Sequence, residues 1–274
     1  MRSVKSFIAA GAATLLSQAA FAADMAIAPP PYAPPVVEDF GGWYLRGDIG
    51  FSNQRVDRLN NVLDRNNTSS VQTLNFNSAG IFGLGVGYQV NSWFRADVTG
   101  EYRGNSQCFG SDHITFPGGV GTDTYHATKN EWVVLANAYV DLGTWWCVTP
   151  FIGAGVGAAY NHLANFRDDG LTTFNGLTAG TQFAADGNKT SLAWAVHAGL
   201  AYKVTNNFTV ELAYRYLDLG SAVTGNTNFA FSSPNVLGTH AWTVNDLTSQ
   251  DLRVGLRWTC CDVPPPPPPL VRKG

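Results

Sequence analysis

Past its first two dozen residues the chain has no uninterrupted apolar run of the roughly 20 residues that a membrane-crossing helix needs. A helical membrane protein is excluded, and a chain of this kind that spans a bilayer does so as a closed barrel. Charge is also scarce, at 14% of residues, with 17 basic against 20 acidic side chains. No basic cluster offers a surface to nucleic acid. Cysteine is limited to Cys108, Cys147, Cys260 and Cys261, without a Cys-x-x-Cys pair, so a zinc site has no ligand set. The glycines of Gly83-x-Gly85-x-Gly87 and Gly153-x-Gly155-x-Gly157 are spaced by two and lack the turn spacing of a dinucleotide fingerprint.

What is present begins with an export signal. Arg2 and Lys5 precede an apolar run from Phe7 to Leu16, and Ala20-Phe21-Ala22 offers a small-residue cleavage site, so residues 1–22 read as a signal peptide. Its removal leaves 15 basic and 20 acidic groups, a net charge of −5. Residues 23–40, with Pro29-Pro30-Pro31 and Pro34-Pro35, read as an extended periplasmic linker, and 259–274, with its run from Pro264 to Pro269 and a basic tip, as a periplasmic tail. An exported chain meets an oxidising compartment, where cysteines pair. Cys147 with Cys260 or Cys261 is the expected disulfide, because the topology below puts all three on one side of the membrane.

The body, residues 41–258, alternates with period two. In the closing stretch Leu252, Val254, Leu256 and Trp258 share one strand face, while Asp251, Arg253, Gly255 and Arg257 share the other. Apolar residues turned to lipid and charges turned to a lumen reconcile the two faces. Seven more stretches repeat the pattern: 43–51, 79–90, 93–103, 128–142, 149–161, 190–204 and 208–217. Tight turns at 91–92, 143–148 and 205–207 alternate with polar segments at 52–78, 104–127, 162–189 and 218–248. The expectation is an all-β, eight-stranded antiparallel transmembrane barrel with three short periplasmic turns and four long external loops. Trp43, Tyr88, Phe94, Tyr202, Phe208 and Trp258 then form one aromatic girdle, and Phe51, Phe82, Tyr102, Trp132, Tyr160, Trp194 and Tyr216 the other.

The same pattern turns Arg46, Arg95, Arg103, Lys129, Lys203, Arg215, Arg253 and Arg257 inward to face Asp48, Asp97, Glu101, Glu131, Asp141, Glu211 and Asp251. An eight-stranded barrel is only wide enough for its own side chains, so these charges are expected to pair and plug the lumen. A charged lining for ion passage is the rival reading. Inward glycines leave room for long side chains from adjacent strands. His197 reads as a hydrogen-bonded interior residue, whereas His113, His126, His162 and His240 fall in the external loops.

The stretches Gly42-Trp43-Tyr44-Leu45-Arg46-Gly47, Thr149 to Gly157, Glu211-Leu212-Ala213-Tyr214-Arg215-Tyr216 and Leu252 to Trp258 resemble the small outer-membrane β-barrel proteins of alpha-proteobacteria, whose barrel is similar to the OmpA transmembrane domain. That family includes surface antigens, porin-grouped members and haemin-binding proteins. The resemblance implies a Gram-negative outer-membrane location among lipid and lipopolysaccharide, and insertion by the barrel-assembly machinery, which reads the last strand. It implies a non-catalytic role in envelope integrity and surface interaction, with no cofactor. Its alternatives are a narrow porin-type channel and haemin ligation by the loop histidines. The proline-rich tail would reach peptidoglycan or a periplasmic protein. The membrane-deacylase spacing, Ser two residues after His, is missing: those positions hold Thr115, Thr128, Ala164, Gly199 and Trp242.

Overall fold

The computed structural model describes residues 42–61, 67–173, 176–231 and 240–260. The expected signal peptide and linker, Cys261 and the proline run lie outside the described residues. Eight long strands carry the fold: β1 (Gly42–Arg55), β4 (Ala79–Gln89), β5 (Phe94–Phe116), β6 (Gly119–Asp141), β7 (Val148–Thr172), β9 (Gly187–Lys203), β10 (Phe208–Val223) and β12 (Thr243–Thr259). Four short ones join them: β2 (Arg58–Asn60), β3 (Ser69–Phe76), β8 (Thr178–Ala184) and β11 (Thr227–Phe231).

Every long strand pairs antiparallel with its sequence neighbour among the eight, and β1 pairs with β12, Leu45 opposite Trp258 and Phe51 opposite Leu252. The order β1-β4-β5-β6-β7-β9-β10-β12 therefore returns to β1, and the ring has no open edge. Its outer face carries Leu45, Ile49, Leu84, Val98, Leu192, Val254 and Leu256, all exposed; Leu84 is 75% exposed. A face this apolar needs hydrocarbon as its solvent.

The four segments expected to be polar loops are in large part strand. β5 and β6 each run 23 residues and β7 runs 25. At about 3.3 Å per residue and a tilt near 45°, a 25-residue strand rises more than 50 Å, against an apolar band of about 25 Å. The excess forms external arms, to which β3 adds beside β5, β8 beside β7, β11 beside β8 and β2 beside β12. These segments look like loops in sequence because their outer face meets water in place of lipid, and their strand-forming Thr, Val and aromatic residues are interleaved with Asn, Asp and Gly.

Bulges mark where ring passes into arm. On β5 the inward residues are odd-numbered up to Arg103 and even-numbered from Ser106, across a register shift. β7 changes parity between Leu163 and Phe166, β10 between Leu219 and Ala222, and β12 between Leu247 and Val244. Asn165, Gly220 and Asp246 have φ of 53°, 70° and 53°. One residue in the left-handed region adds the extra step of a bulge, and Gly, Asn and Asp tolerate that region best.

Candidate functional site

The interior of the ring is the most highly organised chemistry in the molecule. Lower in the barrel, Arg46 from β1 reaches Asp48 and Asp97, each at 2.8 Å, and Glu211 at 3.4 Å. Arg95 meets Asp141 and Glu211, both at 3.2 Å, with its guanidinium 4.3 Å from the Tyr139 ring centre. Arg257 approaches Glu211 at 3.5 Å. Toward the external side, Arg215 takes Glu101 and Asp251 at 2.6 Å each, Arg103 takes Asp251 at 2.7 Å and Glu131, and Lys129 pairs with Glu131. Arg253 joins the tiers, 2.9 Å from Asp48 and 3.1 Å from Glu101.

Lys203 does not belong to this set. It is the last residue of β9, at the periplasmic rim, and is exposed. The expected eight cations become seven against seven anions, and the paired interior is formally neutral. Three neutral groups join the network: Tyr44, which the alternation turns inward beside Arg46 and whose hydroxyl donates to Asp97 at 3.0 Å; Gln54, which accepts from Lys129 at 3.0 Å and donates to Glu131 at 2.8 Å; and Ser249, which donates to Asp251 at 2.5 Å. Tyr44 and Gln54 lie on the Arg46 face of β1, so the alternation that found Arg46 also points to them.

The inward glycines make way for particular side chains. A Cβ on Gly87 would strike the Tyr44 ring, one on Gly153 the Tyr139 ring, and one on Gly85 would come 3.0 Å from Arg46 Cγ. Long charged chains take the room at Gly83, beside Glu101, and at Gly85, beside Arg46, as expected, and aromatic rings take it at Gly87 and Gly153. His197 is buried, 3.2 Å from Asn137 Oδ1 and against Tyr139.

The external histidines do not converge. His113 lies exposed beside Thr122 Oγ1 at 3.1 Å, His126 lies edge-on to Phe109, and His162 contacts Asn188 Oδ1 at 2.5 Å. His240, expected in an external loop with the others, is buried, its ring 6.1 Å from Trp242. Among the described residues no group of three His, Cys, Asp or Glu side chains is placed to hold a metal ion.

The expected bridge from Cys147 to Cys260 is not made: both are free thiols, as is buried Cys108. The Cys147 carbonyl accepts from Lys203 N beside β9, whereas Cys260 N donates to the Trp43 carbonyl beside β1. Strands β9 and β10 stand between them, so three strand spacings of about 4.8 Å separate the two ends. A disulfide spans at most about 7 Å between Cα atoms.

Above the charged tiers the interior turns apolar. Leu59, Phe76, Tyr125, Phe166, Trp242 and Leu247 pack as one buried cluster that continues down the β6–β10 wall through Val133, Leu135 and Leu217. The Trp242 ring centre lies 5.2 Å from Tyr125 and 5.5 Å from Phe166. The Tyr125 hydroxyl donates to Asp112 at 2.7 Å. Burial and the nearby Asp123 and Asp112 push the Asp168 carboxyl up to about 8, and burial raises Asp112 as well. Outside, Arg167 pairs with Asp169 at 2.8 Å and holds that carboxyl below its ordinary value.

Residues 8–258 match the family described as outer membrane protein beta-barrel domain. An uncharacterized protein of Brucella abortus is 31% identical over 223 residues, covering 73% of this chain and 75% of its own. A candidate adhesin of Rickettsia bellii is 29% identical over 220 residues (79% and 87%), and outer membrane protein PagN of Salmonella typhimurium 27% over 200 residues (69% and 79%). Among solved structures, Neisserial surface protein A aligns at 16% identity and a TM-score of 0.39 over 79% of this chain and 96% of its own; OprG of Pseudomonas aeruginosa aligns at 14% and 0.45 over 80% and 96%. With its closed ring and lipid-facing outer surface, the chain belongs to the outer membrane protein β-barrel family and resides in the outer membrane.

Proposed function

We propose that the protein is a non-catalytic, non-conducting surface barrel that strengthens the envelope and presents its external arms to other surfaces. The observation that carries this reading is the filled interior: seven cations close on seven anions, and an aromatic core packs above them. An ion crossing such a barrel would have to break buried pairs that are mutually neutralised, and each broken pair exposes an uncompensated charge. The adhesin description of the Rickettsia relative and the surface-exposed arms support the interaction half of the proposal. Insertion would be guided by the closing strand from Leu252 to Trp258, and the proline-rich tail would contact peptidoglycan or a periplasmic protein.

Planar-bilayer recording of the purified, refolded protein is the test. The expected record is flat, whereas reproducible single-channel steps would replace the plugged reading with that of a narrow pore. Binding of protein-bearing vesicles to host-cell or matrix surfaces, before and after proteolytic trimming of the arms, tests the interaction half. Trimming should abolish it.

A further inference from the structure

Across β12, β1, β4 and β5 one row of lipid-facing residues reads Leu256, Gly47, Leu84, Gly100. The next row toward the external side reads Val254, Ile49, Phe82, Tyr102, and continues to Trp132 on β6. Alternating leucine with glycine cuts notches into the first row, and the large residues of the second roof them. The result is a groove of about 580 Å³ lined almost wholly by apolar atoms. A Cβ built on Gly100 meets no atom within 4 Å, so the notch there is open space.

The groove lies directly beneath the external aromatic girdle, whose Phe82, Tyr102 and Trp132 form its roof, in the external half of the hydrocarbon band. Water and soluble partners are excluded at that depth, and the groove is continuous with the lipid interface of the barrel. On the same outward face of β1, six residues above Ile49, Arg55 is exposed, and Arg58 follows on β2. Neither has an ion-pair partner among the described residues. Two cations at the external end of an apolar groove complement a lipid with an anionic head and acyl chains in the outer leaflet. We infer that this groove is a specific binding site for one acyl chain of outer-leaflet lipopolysaccharide, whose phosphates lie toward Arg55 and Arg58.

The test is native mass spectrometry of protein extracted from its own outer membrane into mild detergent, with heat-modifiable gel migration as the check of folding. Wild type should retain one lipopolysaccharide molecule. Gly100→Leu, whose Cβ meets no other atom within 4 Å and whose side chain occupies the notch, should lose it, and Ala198→Leu, on the lipid face of β9 away from the groove, should keep it. Arg55→Gln paired with Arg58→Gln should lower retention several-fold in a folded barrel. Equal retention by wild type and Gly100→Leu, or no retained lipid in wild type, would overturn the inference. So would a retained phospholipid, or a two-chain species that Gly100→Leu dissociates.

Discussion

Below the bulges the strands turn leucine, valine and tryptophan outward and close Arg46, Arg215 and Arg253 on Asp48, Glu101 and Asp251. Above them β5, β6 and β7 turn Cys108, Tyr125 and Phe166 inward, Trp242 joins them just before β12, and Ser111, Thr122 and Thr124 face water. The same strands thus hold two interiors of opposite character. In the ring the outside is apolar, and the interior is built mainly from paired charge, with Val133, Leu135 and Leu217 along one wall. In the arms the outside is water, and burial of apolar surface again drives folding. The solvent around each segment, more than the strand itself, decides which chemistry fills it.

The largest test of this contrast lies in the ring. Arg215→Ala removes one of the two cations that hold Glu101, leaving Arg253, and one of the two that hold Asp251, leaving Arg103. The buried tier is then one cation short, and the barrel should be destabilised by about 3–5 kcal/mol, the usual cost of breaking a buried pair from one side. Urea unfolding in lipid vesicles would measure it, and a loss under about 1 kcal/mol would mean that water already screens the tier. In the arms, Trp242→Ala should cost about 3 kcal/mol, confined to the aromatic core. Protease cleavage near Arg167 should accelerate while heat-modifiable migration of the ring is unchanged. Concerted loss of both would show that ring and arms are one cooperative unit.

A smaller effect separates the two regions by pH. Asp168 holds its proton to about pH 8 in the folded arm but has an ordinary value of 3.8. A raised carboxyl favours the folded state while protonated, so its contribution is complete below about pH 4 and is lost as pH rises toward about 8. Amide-exchange protection along 121–126 should fall by about tenfold or more between pH 5 and pH 8, equivalent to about 1.4 kcal/mol. Asp168→Asn should flatten that dependence. Protection that instead rises with pH would show that Asp168 is ionised in the folded arm.

The ring was legible because its period holds: Trp43, Leu45, Ile49 and Phe51, like Leu252, Val254, Leu256 and Trp258, fall on one face, and Arg46, Asp48, Arg253 and Arg257 on the other. Fourteen of the fifteen expected lumen charges point inward and pair; Lys203 departs because β9 ends with it, where the rim meets water. The arms were not legible for two reasons. Their strands carry no lipid-facing signal, and each bulge shifts the pattern by one residue, so a window across Asn165 or Asp246 averages two opposite phases into apparent loop. The burial of His240 and the distance between Cys147 and Cys260 follow from three-dimensional placement that spacing alone does not encode.

The bulges at Asn165, Gly220 and Asp246 have a consequence for how such a surface diverges over generations. An insertion of one residue in a continuous strand would turn every later side chain to the wrong solvent, from the change to the end of the strand. A site that already absorbs one unpaired residue confines that damage to its own side. Arms can gain or lose odd numbers of residues while the membrane segment keeps the register its assembly requires.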